Sequence, residues 1–334
     1  MALVLSIALF TAAAHAQAPA LEALQAQVRS HGHLRALLVQ RRGELVFEHY
    51  RADTTPATLL HVASVTKSVT ALLVGIAADR GLLRIDEPLA AFFPEHAQGP
   101  DAEKLSRVTL RHLLTLSSGF DRRGLGTDTD YPDFVQRLYA PGLLEHALGR
   151  PLAGDPGSRF YYSNIDSHLV AVALSRRVKV PLKDFARDEL FRPLGIDSFD
   201  WTAGGDGVLE GAAGLRISAA GLLRIGQMML GGGAWQGKQV VSSAFVADAT
   251  KRQVASDLPP RGSPRLWGYG YLWWTSSTPG DDRPAFYAAG YGGQFIYVVP
   301  SLEVVIVAVT EQASRDVAAR TAALLRDHAL PAAR

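Results

Sequence analysis

The sequence has no cysteine among its 334 residues. This absence excludes disulfides, thiolate nucleophiles, iron–sulfur clusters and cysteine-ligated zinc. The sequence also lacks a large excess of positive or negative charge, because 34 basic residues are balanced by 32 acidic ones and the net charge is +2. Phosphate binding requires clustered cations, so nucleic acid is not an expected partner. The hydrophobic share of 48% against a charged share of 20% indicates a folded globular protein.

Long apolar runs are scarce as well, and none reaches the roughly 20 residues of a membrane-spanning helix. The most apolar stretch is Ala2–Ala14, which leads into Ala14-His15-Ala16, the small-x-small pattern of a signal-peptidase site. We expect residues 1–16 to form a signal peptide that is cleaved after Ala16, although no Lys or Arg precedes the apolar run. The alternative is a buried N-terminal helix. Cleavage would make the protein periplasmic or secreted, without a stable membrane anchor.

Apolar residues follow helical spacing in some segments and strand spacing in others. Helices are predicted, in chain order, at Leu21–Ser30, Val65–Arg80, Leu110–Leu116, Asp133–Leu138, Ser167–Val178, Leu182–Leu190, Ala219–Leu230 and Ala313–His328. Strands are predicted at Leu34–Gln40, Glu44–Tyr50, Leu266–Thr275, Ala285–Ala289, Gln294–Val299 and Leu302–Thr310. Arg41–Gly43 joins the first two strands as a hairpin turn.

The predicted strands cluster at the two ends of the chain, which indicates that the ends pair in one sheet. The expected fold class is α+β: an antiparallel β-sheet flanked by the terminal helices, with an all-helical region inserted between its halves. The domains would be a discontinuous α/β domain of residues 17–85 and 215–334 and an inserted helical region of residues 86–214. Small-molecule sites usually form in clefts between two such parts.

Ser64 and Lys67 lie at the start of the predicted helix Val65–Arg80. Three residues are nearly one helical turn, so the lysine amine can reach the serine hydroxyl. A serine is a weak nucleophile until a base takes its proton, and a lysine with a lowered pKa can do so whereas an arginine cannot. Only six of the 34 basic residues are lysines, and no other serine has a lysine three positions later. The alternative is a helix N-cap followed by a solvated lysine.

A second motif is Tyr162-Ser163-Asn164, in an aromatic turn before the predicted helix Ser167–Val178. A phenolate beside a lysinium can act as a general base and later return the proton to the leaving group. The Asn164 amide can hydrogen-bond both Lys67 and a substrate carbonyl. The neighbouring Tyr161 is a candidate for contact with substrate. On its own the motif would be an ordinary structured turn.

A third motif is the small-residue run Ala288–Gln294, at the end of one predicted strand and the start of the next. Small residues allow a substrate to lie along a strand edge. We expect the backbone N–H of Tyr291 to join that of Ser64 as an oxyanion hole. The alternative is a plain glycine-rich hairpin turn. The expected substrate-binding residues of this motif are Ala289, Gly290 and Gln294.

These three motifs, in this order, resemble those of the serine β-lactamase and penicillin-recognising enzyme superfamily. The resemblance is greatest to the class C β-lactamase-like branch, with its esterases, D-aminopeptidases and DD-peptidases, and it covers roughly residues 30–325. Residues 113–119 (LLTLSSG) and 190–198 (LFRPLGIDS) also look like that branch. The resemblance implies an acyl-enzyme on Ser64, with Lys67 and Tyr162 moving protons. Which of the two is the acylation base stays open, since they would titrate as a coupled pair.

The sequence departs from that superfamily at Ala288-Ala289-Gly290, where members carry Lys-Thr-Gly or often His-x-Gly. The missing cation and hydroxyl would have gripped a substrate carboxylate. The following run through Phe295-Ile296-Tyr297 is similar to nylon-oligomer hydrolases and their esterase relatives. We therefore expect an esterase or amidase that acts on small acyl substrates. The alternatives are a β-lactamase or D-alanyl-D-alanine carboxypeptidase, and a non-catalytic peptidoglycan-binding relative.

Neither a cofactor nor a metal ion is expected. The pair His31 and His33 has metal-ligand character but no third ligand accompanies it. The sequence leaves the oligomeric state open, and the expected partner is a small ester or amide substrate.

Overall fold

The computed structural model describes residues 18–121, 136–256, 266–277, 283–311 and 314–334. The predicted signal peptide of residues 1–16 lies outside the described residues, as do the first three residues of the predicted helix Asp133–Leu138. Residues 136–138 of that helix are helical. None of the described helices combines the length and the apolar character needed to cross a membrane.

Twelve strands are described, and they form three antiparallel sheets. They are β1 Leu34–Arg41, β2 Glu44–Tyr50, β3 Leu60–His61, β4 Asp200–Trp201, β5 Leu215–Ile217, β6 Ala234–Trp235, β7 Lys238–Gln239, β8 Leu266–Tyr269, β9 Trp274–Ser277, β10 Pro284–Gly290, β11 Gln294–Val299 and β12 Val304–Thr310.

The described helices are α1 (residues 18–30), α2 Val65–Asp79, α3 Leu89–Phe92, α4 Ala102–Arg107, α5 Leu110–Leu114, α6 Leu143–Gly149, α7 Asn164–Arg177, α8 Leu182–Ala186, α9 Ala219–Leu230, α10 Ser243–Thr250, α11 Arg315–Leu324 and α12 Leu330–Ala332. Two segments continue a preceding helix as wider π-type turns, Arg187–Phe191 after α8 and Leu325–Ala329 after α11.

The main sheet has seven strands in the order β2-β1-β12-β11-β10-β9-β8. Strand β1 pairs with β12, so the two ends of the chain meet in the sheet as predicted. The predicted hairpin turn between β1 and β2 is also present, with positive φ at Arg42 (50°) and Gly43 (83°), as a two-residue turn between twisted strands requires. The antiparallel sheet with helices on it confirms the α+β fold class.

Alternate residues of each strand face opposite sides of this sheet, and each side is covered by helices. Ala36 and Leu38 of β1 belong to a large inner cluster that includes α2 and α9. Leu37 and Val39 belong to an outer cluster with α1 and α11. Helix α2 is buried from Val65 to Ala77, because the sheet packs against one side of it and the inserted helices pack against the other. This central position explains why the polar residues of its first turns, Lys67 among them, are buried along with the apolar ones.

Within its described residues, the region of residues 86–214 contains helices, the loops that connect them and the two-residue strand β4, which pairs with β5 in a small sheet of order β3-β5-β4. The domain limits drawn at residues 85 and 215 stay a prediction. Helix α7 begins three residues earlier than expected, because the Ser163 hydroxyl accepts the backbone N–H of Asp166 at 3.0 Å and caps the helix. Asn164 is therefore the first residue of this helix.

The prediction of one strand over Leu266–Thr275 is wrong. The chain forms β8, turns, and returns as β9, with Leu272 at a positive φ of 55°. Gly270 lies so close to Ala249 that a Cβ would overlap the Ala249 carbonyl oxygen. Hydrophobic alternation is insensitive to such a turn, because the aromatic residues within it are buried as completely as those of a strand. As a result Trp273 lies in the inner core and Trp274 begins β9.

Candidate active site

Ser64 occupies the position before the first residue of α2, with helical angles (φ −69°, ψ −1°) and no side-chain cap bond. The preceding Ala63 has a positive φ of 46°, a conformation that costs a non-glycine residue free energy. It is held there by Thr66, whose hydroxyl and backbone N–H donate to the Ala63 carbonyl at 2.7 and 3.0 Å. The strained turn therefore fixes the direction in which the chain passes from β3 through Ser64 into α2.

Lys67 is only 1% exposed, so the alternative of a solvated lysine is wrong. Its Nζ donates to three oxygens: Ser64 Oγ at 2.9 Å, Asn164 Oδ1 at 2.7 Å and the Ala212 backbone carbonyl at 2.9 Å. These acceptors come from three segments that are distant in sequence. The structure thus brings together Ser64, Lys67 and Asn164 as the motif spacing predicted.

This set of acceptors determines what the amine of Lys67 can do after losing a proton. A neutral amine has two N–H groups and one lone pair. The carbonyl-type oxygens of Asn164 and Ala212 can only accept hydrogen bonds, so they take the two N–H groups. The lone pair then points at the remaining neighbour, the Ser64 hydroxyl, which can donate to it. The geometry is therefore suited to proton transfer from Ser64 to Lys67.

Tyr162 covers Lys67 with the face of its ring, whose centroid is 4.9 Å from Nζ. Trp274 stacks on the same phenol, with ring centroids 6.0 Å apart and planes 10° from parallel. Tyr269 is fully buried against Trp274, and its centroid lies 4.7 Å from that ring. Burial, and next the neighbouring Tyr162, raise the pKa of Tyr269 well above its ordinary value, so Tyr269 stays protonated. The sequence places Trp274 in an aromatic strand of mostly core residues, so it is not among the predicted site residues.

Asn164 is held by the first turn of α7, and a buried ion pair fixes that turn. Asp166 accepts from Arg150 Nη2 at 2.7 Å and from Ser118 Oγ at 2.5 Å. Both members of the ion pair are at most 6% exposed, so they are screened little by solvent. The pair connects α7 to the end of α6 and to the segment after α5. The Tyr162–Asn164 motif is therefore held in place by contacts among α7, the end of α6 and the segment after α5, and not by its own turn alone.

The end of β10 lies directly beside the residues that precede Ser64. A Cβ on Gly290 would overlap the Val62 carbonyl oxygen and lie 3.1 Å from the Ala63 Cβ. Glycine at this position is thus required by backbone packing. Tyr291 follows, with half of its surface exposed (50%), and starts the turn to β11. The structure consequently places the predicted oxyanion-hole residue on the strand end next to Ser64.

Two of the predicted substrate-binding side chains face away from this place. Ala289 packs with the outer cluster on the opposite side of the sheet, because neighbouring strand residues alternate. Gln294 is fully buried: its Oε1 accepts the Thr310 backbone N–H at 3.0 Å and its Nε2 donates to the Thr310 hydroxyl at 3.0 Å. Gln294 therefore links β11 to β12 through hydrogen bonds, and its amide is not available to a ligand. Tyr161 is 37% exposed at the surface, and the Arg159 guanidinium lies 4.7 Å from its ring centre.

The Ala212 carbonyl is the member of the site that sequence reasoning missed. A backbone oxygen carries no side-chain signature, and the residue lies 145 positions after Lys67. For metal binding, no group of three or more His, Asp or Glu side chains occurs within the described ranges.

Known proteins resemble this chain both in sequence and in structure. The family model described as Beta-lactamase matches residues 22–330. The 6-aminohexanoate-dimer hydrolase of Paenarthrobacter ureafaciens is 26% identical over 303 residues, which cover 81% of this chain and 71% of that protein. The D-alanyl-D-alanine-carboxypeptidase/endopeptidase AmpH of Escherichia coli (strain K12) is 27% identical over 179 residues, 51% of this chain and 46% of AmpH. The match to AmpH thus spans about half of each protein.

A solved structure described as EstCE1, a hydrolase with promiscuous acyltransferase activity, superimposes with a TM-score of 0.73 at 19% identity. The superposition covers 95% of this chain and 99% of the other. It shows that the two chains share a fold over almost their whole length.

Proposed function

The chain belongs to the Beta-lactamase family, and from this premise we propose that it is a serine hydrolase that forms an acyl-enzyme on Ser64. The observation that carries the proposal is the buried Lys67 amine, 2.9 Å from the Ser64 hydroxyl and held by two oxygens that can only accept. A peptidoglycan-binding relative without catalysis would have no use for this arrangement. The proposed residues are Ser64 as nucleophile, Lys67 as proton acceptor, Tyr162 as proton donor to the leaving group and Asn164 as the residue that positions Lys67.

In the proposed acylation, Lys67 takes the Ser64 proton while Oγ bonds to the substrate carbonyl carbon. The resulting oxyanion accepts hydrogen bonds from the backbone N–H groups of Ser64 and Tyr291. The bond to the leaving group then breaks, and that group takes a proton by way of Tyr162. Water attacks the acyl-enzyme and the same groups move a proton in the opposite sense, which releases the acid and restores Ser64.

We infer that the substrates are small esters or amides without a carboxylate next to the scissile bond. Ala288-Ala289-Gly290 supplies no cation or hydroxyl, and the Gly290 backbone is closed against Val62. The aromatic surface of Tyr162 and Trp274 is suited to an apolar acyl group. The name of the hydrolase from Paenarthrobacter describes cleavage of an amide, which agrees with this substrate class.

The test is intact-protein mass spectrometry after treatment with a fluorophosphonate, on the wild type and on Ser64→Ala. We expect one adduct on the wild type and none on the variant, together with a loss of at least about 10³-fold in hydrolysis of short-chain nitrophenyl esters. A folded wild-type protein that forms no adduct would support the non-catalytic alternative.

A second candidate is a β-lactamase or D-alanyl-D-alanine carboxypeptidase, favoured by the match to AmpH over half of the chain. The same panel separates the candidates: the ester or amide hydrolase turns over nitrophenyl esters well and nitrocefin poorly. Fast turnover of nitrocefin or release of D-alanine, with slow ester hydrolysis, would overturn the proposed substrate class.

We also propose that the protein is exported, on the basis of the apolar run Ala2–Ala14 and the motif that ends at Ala16. Expression of the full chain in a Gram-negative host, followed by N-terminal sequencing of the periplasmic fraction, should give a protein that begins at Gln17. A full-length protein in the cytoplasmic fraction would contradict export.

A further inference from the structure

A buried histidine lies behind the loop that supplies the Ala212 carbonyl to Lys67. His168 is one helical turn after Asn164 on α7 and is 1% exposed. Its Nε2 is 3.0 Å from Asp206 Oδ2, and its Nδ1 accepts the backbone N–H of Gly211 at 3.4 Å. Neither residue belongs to the proposed catalytic set. A buried histidine paired with a partly exposed carboxylate, 1% and 17% accessible at the side chain, requires a structural or functional reason.

The hydrogen bonds determine which ring nitrogen of His168 carries the proton. The Gly211 N–H is a donor, so Nδ1 must be the acceptor and Nε2 must hold the hydrogen that faces the Asp206 carboxylate. Burial alone would raise the pKa of Asp206, yet the pKa is lowered, and the hydrogen bond from His168 is the largest cause in that direction. The second carboxylate oxygen of Asp206 accepts the Val208 N–H at 3.0 Å. Asp206 therefore keeps His168 in the one tautomer that can hold Gly211.

Gly211 is held on two further sides. A Cβ at this position would lie 2.5 Å from the Ser167 carbonyl oxygen and 2.8 Å from the Ala171 Cβ, so the loop is packed directly on the backbone of α7. On the side of α2, the Thr70 hydroxyl donates to the Gly211 carbonyl at 3.2 Å. The next carbonyl along the chain, that of Ala212, is the one that accepts from Lys67 at 2.9 Å.

We propose that His168 is a positioning residue for the proton acceptor Lys67. It fixes the Gly211–Ala212 segment, so that the Ala212 carbonyl takes one N–H of the amine and the lone pair stays directed at Ser64. Asp206 acts one step further away, through the tautomer of His168. This inference rests on the proposed function, because it assigns a task to the proton transfer between Ser64 and Lys67.

The test compares two substitutions of the same residue. His168→Leu removes the acceptor for Gly211, whereas His168→Asn places an amide oxygen near the position of Nδ1. We expect His168→Leu to lower kcat and the rate of fluorophosphonate labelling about 10- to 100-fold with KM within about twofold, because orientation of the base acts on the chemical step. His168→Asn should retain kcat within about fivefold of the wild type.

Leu24→Ala is the matched control for loss of stability, since Leu24 is buried in the outer cluster on the opposite side of the sheet. It should lower Tm without changing kcat at a temperature where it stays folded. If His168→Leu does not fold, Asp206→Ala replaces it, and kcat should fall about 3- to 10-fold at constant KM.

Wild-type kcat and labelling rate in these variants would overturn the inference. Equal losses in His168→Leu and His168→Asn would also overturn it, because the role would then be structural only. Failure of the proposed function is distinguishable: the folded wild type would then form no fluorophosphonate adduct, or Ser64→Ala would hydrolyse esters as fast as the wild type.

Discussion

At the scale of single residues, the site depends on how many hydrogen bonds each atom can make. Lys67 Nζ has three oxygen neighbours and, when neutral, only two N–H groups. The two obligate acceptors consume those groups and leave the lone pair for Ser64. A third obligate acceptor in place of the serine hydroxyl would leave the lone pair without a proton to take.

Lys67→Arg tests this argument, because a guanidinium keeps the charge and the donors but does not release a proton. We expect ester hydrolysis to fall at least about 10³-fold, with labelling of Ser64 slowed to the same extent. Circular dichroism and Tm show whether the variant is folded. A folded Lys67→Arg protein with activity within tenfold of the wild type would contradict the role of Lys67 as proton acceptor.

At the scale of elements, the Tyr162–Asn164 motif lies across the point where extended chain becomes helix. Ser163 has extended angles (φ −136°, ψ 121°), and its hydroxyl caps α7. The cap and the Arg150–Asp166 pair together fix the first turn, which carries Asn164 to Lys67. Ser163, between the two proposed functional residues Tyr162 and Asn164, therefore has a structural role as the N-cap of α7.

Ser163→Ala removes the cap and should lower the free energy of unfolding by about 1 kcal/mol. We expect kcat to fall as well, by about 3- to 10-fold, because the end of α7 that carries Asn164 loosens. Ser242→Ala is the matched control: Ser242 caps α10 by accepting the Phe245 N–H at 3.2 Å, far along the chain from the site. Its urea unfolding should shift similarly while its kcat stays unchanged. Equal kcat values in the two variants would argue against the positioning role of the cap.

At the scale of the whole molecule, the two ends of the chain close the outer side of the sheet together. Strand β1 pairs with β12, and His31, just after α1, is 3.1 Å from the Thr321 hydroxyl on α11. Burial lowers the pKa of His31 below its ordinary value. The unfolded chain therefore binds the proton more readily than the folded protein, and the contribution of His31 to stability is lost as the pH falls through about 6.5.

His31→Leu should consequently flatten the loss of stability between pH 7 and pH 5, measured by urea unfolding. Leu24→Ala is the control, because it removes a buried apolar side chain and no titratable group, and it should keep the wild-type slope. A His31→Leu protein with the wild-type pH dependence would contradict the assignment.

Features that depend on local residue spacing or turn chemistry could be predicted from the amino-acid sequence alone. The spacing of Ser64 and Lys67 places them one turn apart on any helix, and the turn residues between β1 and β2 require no partner to form. The mainly apolar runs of β11 and β12 likewise indicate strands from the sequence alone. These features depend on neighbours within a few residues, so they can be inferred without tertiary information.

Some of the groups that surround Lys67 could not be predicted, because long-range packing brings them together. The Ala212 carbonyl, the His168–Asp206 pair and the stacked Trp274 come from separate segments, and none has a sequence pattern that points to Lys67. The orientation of Ala289 and Gln294 also depends on the register of β10, β11 and β12. The physical reason is that long-range packing, rather than local spacing, fixes where a backbone oxygen or an aromatic face lies.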